Sequence, residues 1–333
     1  MKKIKPNAST KKKLVTILHR MLQDVSLLFH SSTVLGYPTI LTVEVSSRCN
    51  LHCPTCPKGT GRIHRNNDMD YGDFCRIVDQ TCRHTKKMFI YNYGDPFMNA
   101  SVCNMIKYAK KNDLYVQAST NGMFFGSPER RSEIIASGLD HLVLAIDGAT
   151  QETLEMFRKG AVLSKIMNDL KALIGERDRL RRATPYTELQ FIVMKHNQHE
   201  LGAIEGLARN LGVDNLFKKT VWIDPKDPQY SERCDDLLPT SDGLRRDCYR
   251  KTNSRNKICK IPWQQSVITS EGDVIPCCYD WDGQYVMGNI LKQSFESIWN
   301  GPCYRKFRKS ILSGLDKIDI CSKCPFGSLM AGA

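Results

Sequence analysis

The run LTVEVSSRCNLHCPTC, residues 41–56, joins a β-branched apolar stretch to three closely spaced cysteines. These are Cys49, Cys53 and Cys56, with the spacing C-x3-C-x2-C. Three thiolates can hold three irons of a cubane iron–sulfur cluster and leave the fourth iron open to a ligand. Zinc is the alternative for a C-x2-C pair, but zinc ribbons use two distant pairs and give Cys49 no role. The spacing therefore favours a cluster with one open iron.

The chain has 333 residues, enough for one large domain and a small one, and its 41% hydrophobic and 25% charged content is typical of a globular protein. It contains fourteen cysteines, but it is longer than a secreted disulfide-rich domain and shows no signal peptide. No run approaches the roughly 18 apolar residues that a membrane span needs. We therefore expect a cytoplasmic protein with reduced thiols.

The net charge is +13, and seven positive charges fall in the first 20 residues, which contain no acidic residue. A second basic group comprises Arg245, Arg246, Arg250, Lys251, Arg255, Lys257 and Lys260. Such a group fits an anionic partner or a solvated basic loop. A non-catalytic zinc or iron–sulfur protein that binds nucleic acid through this group is one alternative for the function. Nucleic acid is nevertheless not the partner that we expect.

Residues 1–38 differ in character from the rest of the chain. Apolar residues from Leu14 to Phe29 recur at helical spacing after several lysines, which predicts a basic amphipathic helix. Such a helix can cover an open edge of the following domain, or it can lie on an anionic membrane surface. We expect the first arrangement, with peripheral membrane contact as the alternative.

Strand-like and helix-like segments alternate from residue 39 to 221. Strands are predicted at 41–46, 87–92, 114–118, 141–146, 187–194 and 214–221, with helices near 72–84, 99–112, 129–137, 149–183 (interrupted at Gly160) and 199–211. This alternation predicts an α/β fold of parallel βαβ units. Six units form a partial (β/α)6 TIM-like barrel, whose ligands lie at the carboxyl ends of the strands. Residues 222–258 are predicted to form a linker or substrate-side loop, and 259–333 a small cysteine-rich domain.

The cysteine motif and the segments at the later strand ends resemble the radical S-adenosylmethionine (radical SAM) superfamily. The run YGDP at 93–96 is similar to the family's GGEP turn, STNG at 119–122 to a segment that faces methionine or ribose, and AIDG at 145–148 to SIDG. Tyr93 and Asp95 depart from the family's Gly and Glu. The SAM-binding positions that the resemblance implies are Gly94, Asp95, Pro96, Ser119, Asn121, Asp147, Arg158 and Val193.

A second cysteine set follows the predicted barrel. Between its members, GNI at 288–290 and SIWN at 297–300 resemble the linking pieces of SPASM and twitch domains. The resemblance implies one auxiliary 4Fe–4S cluster held by Cys259, Cys277, Cys321 and Cys324. Cys278 is an alternative to Cys277, and a structural zinc site is the alternative to the cluster.

The resemblance also implies the chemistry. SAM bound to the open iron is reductively cleaved to a 5′-deoxyadenosyl radical, which removes hydrogen from a substrate, and a flavodoxin or ferredoxin supplies the electron. An auxiliary cluster with four protein ligands fits electron transfer, so we expect an oxidoreductase acting on a small, sugar-like or phosphorylated and therefore anionic molecule. The alternative is maturation of a ribosomal peptide by crosslinking or epimerisation, in which Cys234 or Cys248 would donate a hydrogen atom.

Overall fold

The computed structural model describes residues 10–224, 227–240, 258–322 and 324. Within these residues, nine strands form one sheet in the order β6-β5-β4-β3-β2-β1-β7-β8-β9. The strands are β1 Ile40–Val43, β2 Lys87–Phe89, β3 Tyr115–Thr120, β4 His141–Ala145, β5 Tyr186–Val193, β6 Asn215–Thr220, β7 Gln265–Ile268, β8 Asp273–Ile275 and β9 Gly288–Asn289. Strands β1 to β6 are parallel neighbours in chain order. The predicted partial (β/α)6 barrel is therefore confirmed.

Helices precede and connect the parallel strands. They are α1 Thr10–Leu28, α2 Tyr71–Thr81, α3 Val102–Lys111, α4 Pro128–Ala136, α5 Gln151–Phe157, α6 Leu163–Arg179 and α7 Leu201–Leu211. The segment predicted at 149–183 forms two helices because Gly160, with φ of +91°, follows the end of α5. Thr150 and Thr153 form a capping box that starts α5. Cys49, Cys53 and Cys56 lie in the connection from β1 to α2.

Strands β1 to β3 contribute fully buried apolar residues to the core of the barrel. Leu41, Val43, Met88 and Val116 are all fully buried, and strands buried on both faces carry near-continuous apolar sequence. Polar residues are therefore tolerated where each strand ends. Since parallel strands end at the same edge, the loops that follow them converge there.

The C-terminal unit continues the barrel sheet. Strand β7 pairs in parallel with β1, from Ile40 opposite Gln265 to Val43 opposite Ile268. Strands β8 and β9 then add in antiparallel fashion. The unit also contains α9 Ile261–Gln264, α10 Phe295–Trp299, α11 Pro302–Ser313 and α12 Asp319–Ser322. The auxiliary domain is thus hydrogen-bonded to the first strand of the barrel.

The predicted linker is described in part. It contains the helix α8 Tyr230–Leu237. Of the basic group predicted there, Lys260 is described, whereas Arg245, Arg246, Arg250, Lys251, Arg255 and Lys257 lie outside the described residues.

Helix α1 packs on the protein with its polar side. Gln23 and Ser26 are buried, whereas Leu18 and Met21 are 54% and 60% exposed. The predicted helix is present, and it contacts the following domain through its polar side, where His19 lies against His84. Among the described helices, none is long and apolar enough to cross a membrane.

Candidate functional site

A cavity of about 290 Å³ opens at the carboxyl ends of the parallel strands. Three of its lining residues are Cys49, Cys53 and Cys56, and the segments after β2 to β6 line the remainder. Ligand sites in α/β folds lie at this edge of the sheet. The predicted cysteines are therefore placed where a ligand could reach all three of them.

The cysteine loop is compact. The backbone N–H of Leu51 donates to Cys49 Sγ at 3.5 Å, and that of Cys56 donates to the Cys53 carbonyl at 3.2 Å. Burial raises the pKa of Cys49 to about 11, although the Leu51 N–H partly opposes this. Burial also raises the pKa of Cys53, against the attraction of Arg158. The three thiols line one cavity and would lose their protons on binding iron, so the donor set fits a cluster with one open iron.

Gly94 brings the turn after β2 against the backbone that leads into Cys49. It has φ of +117°, and an added Cβ would lie 2.3 Å from the Ser46 carbonyl oxygen and 2.9 Å from that of Arg48. The Asp95 N–H donates to the same Arg48 carbonyl at 2.7 Å. The absence of a side chain at Gly94 therefore allows a close backbone approach.

Asp95 joins two strand ends. Its Oδ2 accepts hydrogen bonds from Thr120 Oγ1 at 2.8 Å and the Asn121 N–H at 2.9 Å, and its Oδ1 accepts from the Phe97 N–H at 3.0 Å. Burial raises its pKa, and these three donors oppose the rise. Pro96 begins the 3-10 helix Pro96–Met98, which Asp95 caps. Pro96 does not line the cavity, whereas Gly94 and Asp95 do.

The segment after β3 also reaches the cysteine loop. Ser119 and Asn121 both line the cavity. Asn121 Nδ2 donates to Asn50 Oδ1 at 2.8 Å and lies 3.9 Å from Cys49 Sγ. Asn121 thus supports the loop next to the first cysteine, in addition to its predicted position at the ligand.

Asp147 holds Arg158 in place behind the cavity. Arg158 Nε donates to Asp147 Oδ2 at 2.6 Å, and the Ile192 N–H donates to Oδ1 at 2.7 Å. Burial would lower the pKa of Arg158, but Asp147 and Cys53 outweigh burial and raise it, so the guanidinium stays charged. Arg158 lines the cavity and Asp147 does not. Arg158 is therefore the member of this pair that can reach a ligand carboxylate.

The residue of β5 that lines the cavity is the neighbour of the predicted one. Val193 is 2% exposed and belongs to the main core, whereas Ile192 lines the cavity. Neighbouring strand residues point to opposite faces, so Ile192 presents its side chain to the cavity and Val193 does not. The run Phe191-Ile192-Val193-Met194 is apolar throughout and carries no alternation that could have shown this.

Several cavity residues were not predicted from the sequence. They are Tyr91, Tyr93, Gln190, Lys219 and Trp222, all on strand ends or directly after them. Lys219 lies on β6, and its side chain makes no hydrogen bond or ion pair within the described residues. The residue keeps exposed surface, yet desolvation beside the cavity lowers the pKa of its amine, with Asp147 partly opposing the shift.

A second, closed site lies in the C-terminal unit. Its cavity of about 20 Å³ is lined by apolar side chains and by Cys259, Cys277, Cys321 and Cys324. Burial raises the pKa of Cys259 to about 11 and that of Cys321 to about 12. The four predicted cysteines are thus brought together, whereas Cys278 does not line this cavity. Four thiols around one small apolar space fit a cluster whose irons are all bound by protein.

In the described part of the chain, no group of three or more His, Cys, Asp or Glu side chains could hold a single metal ion. In a cubane cluster, each thiolate binds a different iron, so the sulfur atoms need not converge on one point.

The two predicted hydrogen donors are not part of the described cavity. Cys234 lies on α8, where it packs against a small apolar cluster that contains Phe157 and Leu238. Cys248 lies outside the described residues.

Comparison with known protein families defines the class. Residues 43–176 match the radical SAM superfamily, and residues 259–325 match SPASM, an iron-sulfur cluster-binding domain. Together these matches span more than half of the chain. The chain belongs to the radical SAM superfamily and carries a C-terminal SPASM domain. It is therefore an enzyme that binds a 4Fe–4S cluster and SAM, with auxiliary iron–sulfur binding at its C-terminal end, and the non-catalytic alternative is excluded.

Two curated relatives and one solved structure are among the matches. The S-adenosyl-L-methionine-dependent 2-deoxy-scyllo-inosamine dehydrogenase of Niallia circulans is 25% identical over 292 residues, which cover 86% of this chain and 92% of that protein. The PqqA peptide cyclase of Gluconobacter oxydans is 24% identical over 294 residues, 81% of this chain and 79% of that protein. The structure of Streptococcus suis SuiB bound to precursor peptide SuiA has a TM-score of 0.63 at 14% identity, covering 94% of this chain and 77% of that chain.

Proposed function

We propose that this radical SAM enzyme is an oxidoreductase that removes a hydrogen atom from a small anionic substrate, sugar-like or phosphorylated. Cys49, Cys53 and Cys56 would hold the cluster that binds SAM, and together these groups would supply the radical chemistry. The chain's own residues hold the three cysteines in register, keep Arg158 charged beside them and enclose the substrate. The observation that carries this proposal is Lys219, which lines the same cavity as Cys49, Cys53 and Cys56 and has no side-chain partner among the described residues.

Lys219 supports an anionic substrate. Lys219 lines the cavity, and its side chain has no ion-pair partner among the described residues. A ligand phosphate or carboxylate could form a charge-assisted bond with it. The other cation lining the cavity, Arg158, is already paired with Asp147 at 2.6 Å. Asp95 also lines the cavity, but three hydrogen bonds engage its carboxylate. Among the described charged residues that line the cavity, Lys219 is therefore the one whose side chain is available to pair with a substrate group.

A short covalent and hydrogen-bonded path supports electron transfer to the auxiliary site. Tyr93 lines the SAM cavity, and its hydroxyl donates to the Cys278 carbonyl oxygen at 3.1 Å. Cys278 is bonded to Cys277, which lines the auxiliary cavity. We propose that Cys259, Cys277, Cys321 and Cys324 would hold one 4Fe–4S cluster, which would supply electron transfer for the oxidation of the substrate.

Ribosomal-peptide maturation is the second candidate. It is favoured by the similarity to the PqqA peptide cyclase, which covers nearly as much of the chain as the similarity to the dehydrogenase. A peptide substrate would also need an anionic group to use Lys219. The two candidates therefore differ in substrate size and agree on the chemistry of the cavity.

The electron donor and the cellular compartment can be inferred from the same chemistry. We propose a donor of the flavodoxin or ferredoxin class and a cytoplasmic location. None of the thirteen described cysteines forms a disulfide with another described residue, which fits a reducing compartment.

The radical chemistry is tested without knowing the substrate. After anaerobic reconstitution with iron and sulfide, the wild type is given SAM and dithionite, and 5′-deoxyadenosine is measured. We expect product from the wild type and from a Cys259→Ala/Cys277→Ala variant, and none from a Cys49→Ala/Cys53→Ala/Cys56→Ala variant. Equal product from the last variant would refute the assignment of the open-iron site.

The substrate class is tested through Lys219, with the neighbouring Lys218 as the matched control. Lys218 points outward and pairs with Glu205 at 2.5 Å. Inorganic phosphate is titrated into the SAM-loaded enzyme by calorimetry. We expect Lys219→Met to weaken phosphate binding about tenfold or more, the cost of roughly one charge-assisted bond, and Lys218→Met to bind as the wild type does.

Two results would contradict the anionic-substrate proposal. One is phosphate binding that is undetectable in the wild type or equal in Lys219→Met. The other is that Lys219→Met needs a higher SAM concentration for cleavage but binds phosphate as the wild type does. That result would assign Lys219 to the SAM carboxylate. Neither result affects the cysteine assignment, because cleavage itself is measured separately.

A further inference from the structure

Helix α1 exposes a continuous apolar stripe. Its members share one side of the helix and of the residue that follows it, and are Leu14, Ile17, Leu18, Met21, Val25, Leu28 and Phe29. Their exposed fractions run from 40% at Val25 to 76% at Phe29. Leu35, 62% exposed, follows shortly after the helix. Contiguous apolar patches of this kind are uncommon on monomeric proteins and mark interaction surfaces.

The opposite side of α1 is polar and is fixed to the protein. Gln23 Nε2 donates to the Tyr37 carbonyl at 2.6 Å, and the Leu35 N–H donates to Ser26 Oγ at 3.0 Å. His19 Nδ1 accepts from the Tyr37 N–H at 3.1 Å. Rotating the helix to bury the stripe would break these bonds. The stripe is therefore held facing outward.

The segment that contains the stripe carries a strong positive charge. Six lysines lie among the first 13 residues, Arg20 follows, and the first 20 residues contain no acid. A basic helix with one apolar side has the composition of helices that lie in the headgroup region of anionic membranes. Each lysine near such a surface adds roughly 1 kcal/mol of attraction. A second copy of the chain would instead bring two such basic segments together, which like-charge repulsion disfavours.

We propose that α1 docks this enzyme peripherally on an anionic lipid surface, with the stripe inserted among the headgroups. The position of α1 permits this without blocking the cavity. His19 contacts the rings of Tyr37 and His84, at centroid distances of 5.8 Å, and these residues shortly precede β1 and β2. The helix thus lies at the amino ends of these strands, whereas the SAM cavity opens at the carboxyl ends.

The test is flotation of the full-length, cluster-loaded enzyme with vesicles. One set of vesicles contains phosphatidylcholine with phosphatidylglycerol, and the other contains phosphatidylcholine alone. The stripe variant is Leu18→Glu/Met21→Glu. The control variant places two glutamates at exposed apolar positions elsewhere, Leu180→Glu/Val286→Glu, where the side chains are 44% and 40% exposed. The net charge of the two variants is equal.

We expect the wild type and the control variant to bind the anionic vesicles at least about tenfold more tightly than the neutral ones. The stripe variant should lose about a hundredfold in vesicle affinity, since two apolar side chains no longer leave water. Raising the salt concentration should release the wild type. SAM cleavage should be equal in all three proteins, which also shows that the stripe variant is folded.

Three outcomes would overturn the proposal. The first is that the wild type binds anionic and neutral vesicles equally. The second is that the stripe variant binds anionic vesicles as tightly as the wild type. The third is that the wild type binds no vesicles and is a dimer in light scattering, whereas the stripe variant is a monomer. The last outcome would assign the stripe to a second copy of the chain.

Discussion

Replacing Gly94 by alanine tests whether close backbone contact positions the cysteine loop. The added Cβ would lie 2.3 Å from the Ser46 carbonyl oxygen, three residues before Cys49. Ordinary contact needs a separation nearer 3.5 Å, so the backbone has to move by about 1 Å. The φ of +117° is itself costly for any residue with a side chain, by about 1 to 3 kcal/mol. We expect a total loss of about 2 to 4 kcal/mol in the free energy of unfolding.

The functional effect should exceed the stability effect. A shift of about 1 Å in a catalytic group costs roughly a hundredfold in rate, and Cys49 is separated from the clashing atom by two residues. We therefore expect Gly94→Ala to cleave SAM about a hundredfold more slowly, with iron content reduced after reconstitution. The measurements are iron and sulfide per chain, the rate of 5′-deoxyadenosine formation and urea denaturation.

Gly61 offers the matched control because it lies just after the same cysteine loop. It has φ of +76°, yet an added Cβ would meet nothing within 4 Å. Gly61→Ala should therefore cost only the backbone strain, about 1 kcal/mol, and leave SAM cleavage near the wild-type rate. If both variants behave alike, backbone strain rather than contact with the cysteine loop explains the effect, and our reasoning fails.

Three further substitutions have defined outcomes. Asp95→Asn leaves one of its donors unsatisfied and should cost about 1 to 3 kcal/mol in urea denaturation; no loss would show that water replaces the carboxylate. Asp147→Asn leaves Arg158 buried without a counter-charge and should cost about 3 to 5 kcal/mol, with unchanged stability as the contrary result. Burial lowers the pKa of His84 to about 4 from 6.5, so the unfolded chain takes up the proton first and stability falls as pH drops below 6.5. The wild type should lose about 2 kcal/mol more than His84→Phe between pH 7 and pH 5, and equal slopes would contradict this.

The strands and helices of the barrel could be predicted from the sequence because each is indicated by a short, local pattern of residues. The predicted strands from 41–46 to 187–194 are rich in apolar and β-branched residues and are followed by polar loops, and the predicted helices have an apolar repeat. The strand at 214–221 carries two lysines and is the weakest of these signals. The spacing of Cys49, Cys53 and Cys56 is likewise a local pattern. What requires the structure is the direction in which a side chain points once both faces of its strand are covered.

Val193 and Lys219 illustrate that limit. The run at 191–194 is apolar throughout, so alternation could not show that Ile192 rather than Val193 faces the cavity. Two lysines are adjacent on β6, and the surrounding structure decides that Lys218 pairs with Glu205 while Lys219 lines the cavity. In α1 the helix was predicted correctly, but burial of its polar side depends on hydrogen bonds to residues 35–37, which no periodicity encodes.

The pairing of β7 with β1 has a consequence for how the chain acquires its structure during synthesis. Ile40 pairs with Gln265, a separation of more than two hundred residues, and contacts so distant in sequence form slowly. Until the ribosome has released residues 265–268, one side of β1 presents unsatisfied backbone groups that can recruit a strand from another chain. A fragment ending before the auxiliary domain would keep that exposed edge permanently. We therefore expect such a fragment to aggregate, and the two cluster-binding parts of the protein to be inherited and expressed as one folding unit.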